Sequence, residues 1–337
     1  MGLVNPAHPL PADPWESRVP VEFAGMLGVS LPMLEIFRRI GEAAGTDIPV
    51  LITGETGTGK DLVAAAIHGQ SQRAGGPYVA VNTGAIATEL IASELFGHDR
   101  GAYTGAVELK RGHFEEAHRG TIFLDEIGTM SESAQVALLR VLETKTFRRV
   151  GGEKDIHVDV RVVAASNEDP EKLVKERRFR KDLFYRLDVF RIHLPPLRER
   201  PGGVTVLTKY FVAEFCAMYK KDISSVAPET WRFLRRYSWP GNVRELKNVI
   251  QRAVVIAGGK DLTPDLLPSR IREAVGESAE GADSLKLTPG MTLESVEKRL
   301  IQLTLNATNG NKKAAAAMLG ISRRALYDKL AKYAVHN

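Results

Sequence analysis

The chain is expected to fold as an α/β protein: a doubly wound parallel sheet, then a mostly α-helical segment, then a separate all-α helix–turn–helix. Three observations predict this. Apolar runs such as Val50–Thr53, Thr121–Leu124 and Val158–Ala165 alternate with helix-period segments, the pattern of strands covered on both faces by crossover helices. A glycine loop, Gly54–Asp61 (GETGTGKD), stands between the first of these runs and a helix, where a strand–loop–helix unit cradles phosphate. Lys312–Tyr333 reads as two short helices about a Gly320-Ile321 turn, the helix–turn–helix pattern.

Taken in order, residues 1–20 are proline-rich and expected to be a disordered tail. Ala43–Thr53 leads into the buried strand Val50–Thr53, and Leu62–Gln70 is an apolar-periodic helix. Between them lie Gly54, Glu55, Thr56, Gly57, Thr58, Gly59, Lys60 and Asp61, the candidate nucleotide-binding residues. The glycines let backbone N–H groups surround phosphate oxygens, the helix N-terminus adds positive potential, and Lys60 reaches the outer phosphates. The general motif ends in Lys-Ser/Thr, whose hydroxyl helps hold Mg²⁺; here Asp61 follows Lys60. Pro77–Asn82 is a second strand. Ala85–Phe96 and Glu108–Ala117 are expected to be helices on either side of Gly97–Ala106 (GHDRGAYTGA), whose glycines mark a loop.

Thr121–Glu126 is an apolar strand ending in two carboxylates. In this context Asp125 would hold the Mg²⁺ that bridges the phosphates and Glu126 would polarise the attacking water. Ser133–Glu143 is an amphipathic helix, Phe147–Ile156 a mobile hairpin around Gly151-Gly152, and Val158–Ala165 a strand ending at Ser166-Asn167. Arg177–Arg200 is dense in arginine and Pro201–Ile256 is mostly helical. Glu273–Leu287, rich in Gly, Ala, Ser and Glu, reads as a flexible linker. Thr292–Asn306 is an amphipathic helix capped at Thr292. Lys312–Leu319 and Ser322–Tyr333 follow, the second capped by Ser322, with Ala314–Ala317 letting the helices approach closely. The domain boundaries expected are thus 1–20 tail, 21–200 α/β ATPase part, 201–272 lid, 273–290 linker and 291–337 helix–turn–helix.

Composition and charge narrow the classes. Hydrophobic residues at 44% and charged residues at 26% are ordinary for a soluble globular chain. No apolar run is long enough to span a bilayer, and the N-terminal stretch lacks the basic and apolar regions of a secretory signal. The single cysteine, Cys216, forms no internal disulfide and reads as a core residue. These features indicate the cytoplasm. The net charge of +5 is unevenly placed: from Leu285 onward nine Lys/Arg face three acids, a surplus of six, so the rest of the chain sums to −1. That asymmetry suggests a nucleic-acid-facing tail on a neutral engine.

GAYTGA (Gly101–Ala106), GETGTGKD and WPGNVREL (Trp239–Leu246) together resemble the bacterial enhancer-binding proteins, the AAA+ ATPases that activate sigma-54 RNA polymerase. An acid at position 61 is usual in that family. A branch-migration or clamp-loading motor would share the phosphate loop but has no reason to carry GAYTGA. A decayed ATPase would lack Lys60, Asp125, Glu126 or Arg186, and all four are present.

The resemblance implies ATP and Mg²⁺ as cofactors, with Asp125 as the metal residue. It implies a helical lid whose Arg244 approaches the γ-phosphate from the same subunit, and a polar sensor at Asn167. Arg186, supported by Arg180 within FRKDLFYRL, is expected to reach a neighbour's nucleotide, so hydrolysis requires a ring, usually hexameric, with a dimer at rest. Asn82 stands where the family holds the catalytic glutamate, here Glu126, back until sigma-54 is engaged. Gly101, Ala102, Tyr103, Thr104, Gly105 and Ala106 would contact sigma-54, Tyr103 and Thr104 most directly. The last segment resembles a Fis-like DNA-binding domain, with Lys312, Lys313, Ser322, Arg323, Arg324, Tyr327 and Lys329 as candidate contacts to double-stranded enhancer DNA with inverted-repeat sites. Partners implied are sigma-54, the polymerase holoenzyme and further copies of the chain. Residues 1–20 leave no room for a receiver domain, so the expectation is either restraint by a regulatory protein in trans or a chain from which a sensory domain was removed.

Overall fold

A computed structural model of the chain describes residues 20–102, 106, 108–280, 292–308 and 311–333. They form two compact units, Met1–Trp231 with Ser238–Leu262 and Arg232–Tyr237 with Thr263–Asn337. The expected tail at 1–19 lies outside the described residues.

The first unit opens with a hairpin, β1 (Val21–Phe23) and β2 (Met26–Gly28), followed by α1 (Leu31–Ala44). Then β3 (Val50–Thr53) leads into α2 (Lys60–Gly69), and β4 (Tyr78–Asn82) precedes α3 (Ile91–Phe96). A short antiparallel pair, β5 (Gly97–His98) and β6 (Lys110–Arg111), leads through α4 (His113–Glu116) to β7 (Thr121–Asp125). Next come α5 (Glu132–Thr144), the hairpin β8 (Thr146–Phe147) and β9 (Ile156–His157), β10 (Arg161–Ser166), α6 (Pro170–Lys175), α7 (Lys181–Leu187) and β11 (Phe190–His193).

The five long strands form one parallel sheet in the order β11-β3-β10-β7-β4. Every residue of β3 and β10 is buried, which is why these strands read as unbroken apolar runs. Alternate residues feed two cores. Leu51, Leu124, Val162 and Ala164 pack on one face with Leu95, Leu138 and Leu183. Val50, Ile52, Phe123, Val163 and Ala165 pack on the other with Ile36, Ile40, Val63 and Ile67. Because the strands are parallel and in register, the chain leaves the sheet on one edge at Thr53, Asn82, Asp125 and Ser166, with Asn82 directly beside Asp125.

Two helix expectations are corrected here. In Ala85–Phe96 only Ile91–Phe96 is α-helical, because Thr83–Ala85 is a 3₁₀ turn capped by Asn82. In Glu108–Ala117 only His113–Glu116 is helical: Lys110–Arg111 pairs with Gly97–His98, and Gly112 backs onto Gly97 so closely that no β-carbon fits at either. The expected hairpin at 147–156 is present as β8 and β9.

The lid continues the first unit with α8 (Gly203–Tyr219), β12 (Ser225–Val226), α9 (Pro228–Arg236, which crosses between the units), α10 (Asn242–Ile256) and β13 (Asp261–Leu262). α8 and α10 pack together, burying Phe211 and Phe215 from one and Leu246, Val249, Ile250 and Ala253 from the other. Cys216 is only half-buried on α8, not a core residue.

In the second unit α11 spans Ser269–Glu280, so the first part of the expected linker, 273–280, is helical, while 281–291 lies outside the described residues. α12 (Leu293–Ala307), α13 (Lys312–Met318) and α14 (Arg323–Lys332) form the helix–turn–helix around Ile301, Leu305, Ala315, Ala316, Leu326 and Leu330. Thr292 and Ser322 cap as expected, accepting from the backbone of Ser295 and Ala325 at 3.2 Å each. Of Ala314–Ala317, only Ala315 and Ala316 are buried. No helix among the described residues is long and apolar enough to cross a membrane.

Candidate active site

The phosphate loop follows β3 and ends at Gly59, where α2 begins. Gly54, Gly57 and Gly59 all have positive φ, which only glycine adopts without strain. The buried Lys60 ammonium donates to the carbonyls of Gly54 at 2.9 Å and Glu55 at 3.2 Å. Burial pulls its pKa down, against the opposing pull of Asp125, Glu126 and Asp61. A cation held by its own loop is a donor already aimed at the place where an anion would sit.

Asp125 ends β7 and accepts from the backbone N–H of Glu126 at 3.0 Å. Burial raises its pKa, while Lys60 works in the other direction. Glu126 lies in the left-handed region at φ 59°, an uncommon conformation for a residue with a side chain. The strand-end turn is tied down by Thr83, whose buried hydroxyl donates to the carbonyls of Asp125 at 2.9 Å and Glu126 at 2.8 Å and meets the Thr129 hydroxyl at 2.9 Å. The sequence carries no signal for Thr83 and Thr129 beyond a threonine directly after the strand-end asparagine. Asn82 spends its side-chain oxygen on the N–H groups of Gly84 at 2.8 Å and Ala85 at 3.2 Å. The Glu126 carboxylate lies against Gly84, beside that oxygen, so the two residues expected to interact are neighbours.

Thr56, Gly57, Gly59, Lys60, Asp61, Asn82, Asp125, Glu126 and Arg244 line one polar hollow of ≈50 Å³. On the other side of Gly59, a more apolar cavity of ≈230 Å³ runs between β2, Leu62, Leu194 and the lid residues Leu207, Tyr210, Phe211 and Val243. A polar hollow and an apolar cavity sharing Gly59 match the two ends of a nucleotide, phosphates and base. Among the described residues no three His, Cys, Asp or Glu side chains form a metal cluster. A Mg²⁺ held at Asp125 would therefore take its other ligands from phosphate and water, as this ion commonly does.

The remaining expected residues divide. The Glu55 carboxylate turns to Arg198 at 2.6 and 2.9 Å and to Asn242 at 3.1 Å, which hold its pKa down at about 2. Asn167 is exposed just past β10 and does not line the hollow. Arg180, which precedes α7, and Arg186, on α7, do not line it either; they pair with Asp182 at 2.7 Å and Glu143 at 3.2 Å. Of the segment expected to face sigma-54, Tyr103, Thr104 and Gly105 lie outside the described residues. Its root is fixed: Gly101 donates to Ala106 at 2.8 Å, Ala102 donates to Asp99 at 3.1 Å, and Ala102 packs on Gly151 of the β8–β9 hairpin.

In the helix–turn–helix Lys313, Arg323, Arg324 and Tyr327 are exposed, and Lys312 lies over the Tyr327 ring at 5.4 Å. Ser322 is spent as a cap. Lys329 is part-buried and pairs with Glu297 of α12, which also accepts from the Tyr333 hydroxyl at 2.6 Å.

Phosphate loop, strand-end carboxylates and lid arginine on a five-stranded parallel sheet define an AAA+ ATPase, here followed by a helix–turn–helix. Comparison with known proteins agrees. Residues 26–193 match the sigma-54 interaction domain, 198–284 the AAA+ ATPase lid domain and 292–333 the bacterial regulatory protein Fis family. The chain is 44% identical over 320 residues to the regulatory protein AtoC of Escherichia coli K12, covering 93% of this chain and 68% of AtoC. It is 43% identical over 353 residues to the DNA-binding transcriptional regulator NtrC of Azospirillum brasilense, covering 97% and 72%. The crystal structure of NtrX from Brucella abortus with ADP superposes at a TM-score of 0.69 with 34% identity, covering 92% of this chain and 70% of that one. The chain belongs to the family of sigma-54-dependent transcriptional activators.

Proposed function

We propose that this chain hydrolyses ATP with Mg²⁺ in a ring of its own copies and uses the cycle to convert the sigma-54 polymerase closed complex into an open one. The observation that carries this reading is the convergence of Lys60, Asp61, Asn82, Asp125, Glu126 and Arg244, from separate segments, on one hollow. ATP would supply the transferable phosphoryl group, and Mg²⁺, held at Asp125, would supply positive charge to offset that of the phosphates. Lys60 and the loop N–H groups hold the phosphates, Asp125 holds the cation, and Glu126 orients the attacking water and takes up its proton. Asn82, at the neighbouring strand end, restrains Glu126, and Arg244 reads the phosphate from the lid; Asn167, just past β10 and outside the hollow, would sense the phosphate only if the loop carrying it turns inward when nucleotide binds. Arg186, with Arg180 beside it, projects from α7 to a neighbouring subunit's site, where a planar guanidinium neutralises developing charge. That neighbour is one of a hexamer assembled from dimers.

The Gly97–Ala106 segment transmits the result, with Tyr103 and Thr104 as the contact to sigma-54. Its root joins the ATPase core through β5 and the β8–β9 hairpin. The helix–turn–helix anchors the assembly on inverted-repeat enhancer DNA through Lys312, Lys313, Arg323, Arg324 and Tyr327. A regulatory protein acting in trans, or a sensory domain in a longer chain, would set when this happens. The test is permanganate reactivity of a sigma-54 promoter with polymerase, this protein and nucleotide. Opening with ATP but not with ADP is expected; ATP turnover without opening would show a motor acting on another target.

A further inference from the structure

The phosphate loop and the lid are locked together by contacts that the chemistry of hydrolysis does not require. Asn242, fully buried at the start of α10 with φ 51°, is their hub. Its side-chain oxygen accepts from the Leu197 N–H at 2.7 Å, in the 3₁₀ turn Leu197–Glu199 that joins sheet to lid. Its amide nitrogen donates to the Thr56 carbonyl at 3.0 Å and the Glu55 carboxylate at 3.1 Å, both in the loop. Glu55 is held in turn by a two-pronged ion pair with Arg198 of the same turn.

The backbone adds a second tie. The Gly57 carbonyl accepts from the N–H groups of Val243 at 2.9 Å and Arg244 at 3.3 Å, so the loop itself caps the N-terminus of the lid helix. A β-carbon at Gly57 would collide with the Gly241 carbonyl, so the approach depends on glycine.

We infer that Asn242, with Glu55 and Arg198, is a positioning latch that makes α10, and with it Arg244, follow the conformation of the phosphate loop. Arg244 is two residues from the hub and its own N–H is bonded to the loop. Any shift of Thr56 or Gly57 on filling the hollow is passed to the guanidinium through rigid, short connections. The inference rests on the ATPase reading above and adds residues to it that touch no phosphate.

The test uses the full chain with Asn242→Asp, which is isosteric but sets a carboxylate oxygen against Thr56 and Glu55. Turnover is expected to fall about tenfold or more, as a misplaced catalytic group does, while ADP binding stays near wild type. On an Arg244→Ala background Asn242→Asp should add no further loss, since the two act as a unit. Adding Glu55→Gln to Asn242→Asp restores a donor opposite the new carboxylate and should recover part of the rate. In nucleotide-free protein the amides of Val243 and Arg244 should exchange faster in Asn242→Asp. Arg198→Gln, at an exposed position, serves if that variant does not fold. Additive losses with Arg244→Ala, or equal loss of ADP binding, would overturn the latch, and so would unchanged amide exchange. Wild-type turnover by Arg244→Ala would instead remove the assigned role of Arg244, and the latch as a means of placing it.

Discussion

At the scale of the residue, the hollow is an arrangement of charges kept in unfavourable places. Lys60 and Asp125 are both pulled toward neutrality by burial, so each is stabilised in its charged form by the other and by a bound anion and cation. Lys60→Ala is expected to weaken ATP binding at least tenfold in a fluorescent-nucleotide titration. Glu126→Gln should retain ATP binding yet cut turnover by two orders of magnitude or more, the scale of removing a positioned base. Glu55 gives a pH prediction. Its folded pKa, about 2, is below its unfolded value, so its contribution to stability is complete above the unfolded pKa and fades as pH falls toward the folded one. The melting-temperature gap between wild type and Glu55→Gln should therefore be constant at neutral pH and close below about pH 4.5. Its ion pair is well exposed to solvent, so the gap is expected to be small. A gap that widens in acid would contradict the assignment.

Elements show where a sequence can be read and where it cannot. GETGTGKD and the Asp125-Glu126 strand end were legible because each is a local string whose chemistry needs consecutive residues. Asn242 as hub was not, because its partners Glu55 and Thr56 lie far back in the chain. The pairing of Lys329 with Glu297 was not legible either, because it depends on where α12 packs. Glu108–Ala117 carried helical composition, yet the need for Gly112 to back onto Gly97 broke it. Residues 273–280 have linker composition but enough Glu and Ala to continue α11. The hairpin root yields a prediction of its own. Gly151, at φ 76° and pressed on Ala102, tolerates no side chain, so Gly151→Val should leave ATP turnover within a few-fold of wild type while abolishing promoter opening. Equal loss of both activities would show that the root is part of the ATPase itself.

For the whole molecule, charge separates engine from anchor. The surplus of six positive charges beyond residue 285 predicts DNA binding that weakens steeply with salt. Arg323→Ala and Arg324→Ala should each weaken operator binding by about 1–3 kcal/mol if they read bases, or flatten the salt slope by about one if they meet phosphate, in a gel-shift titration across salt concentrations. ATP turnover should be unchanged in both. The strand order carries one more consequence, for the life of the chain before it is finished. Residue 50 pairs with residues 163 and 190, so the interior strand β3 has neither neighbour until much of the sheet has been synthesised. A nascent chain that has reached only β7 presents an apolar strand with two bare edges, the kind of surface that aggregates or recruits a chaperone. Synthesis slowed just before β10 should therefore leave more of this protein insoluble than the same pause placed after β11.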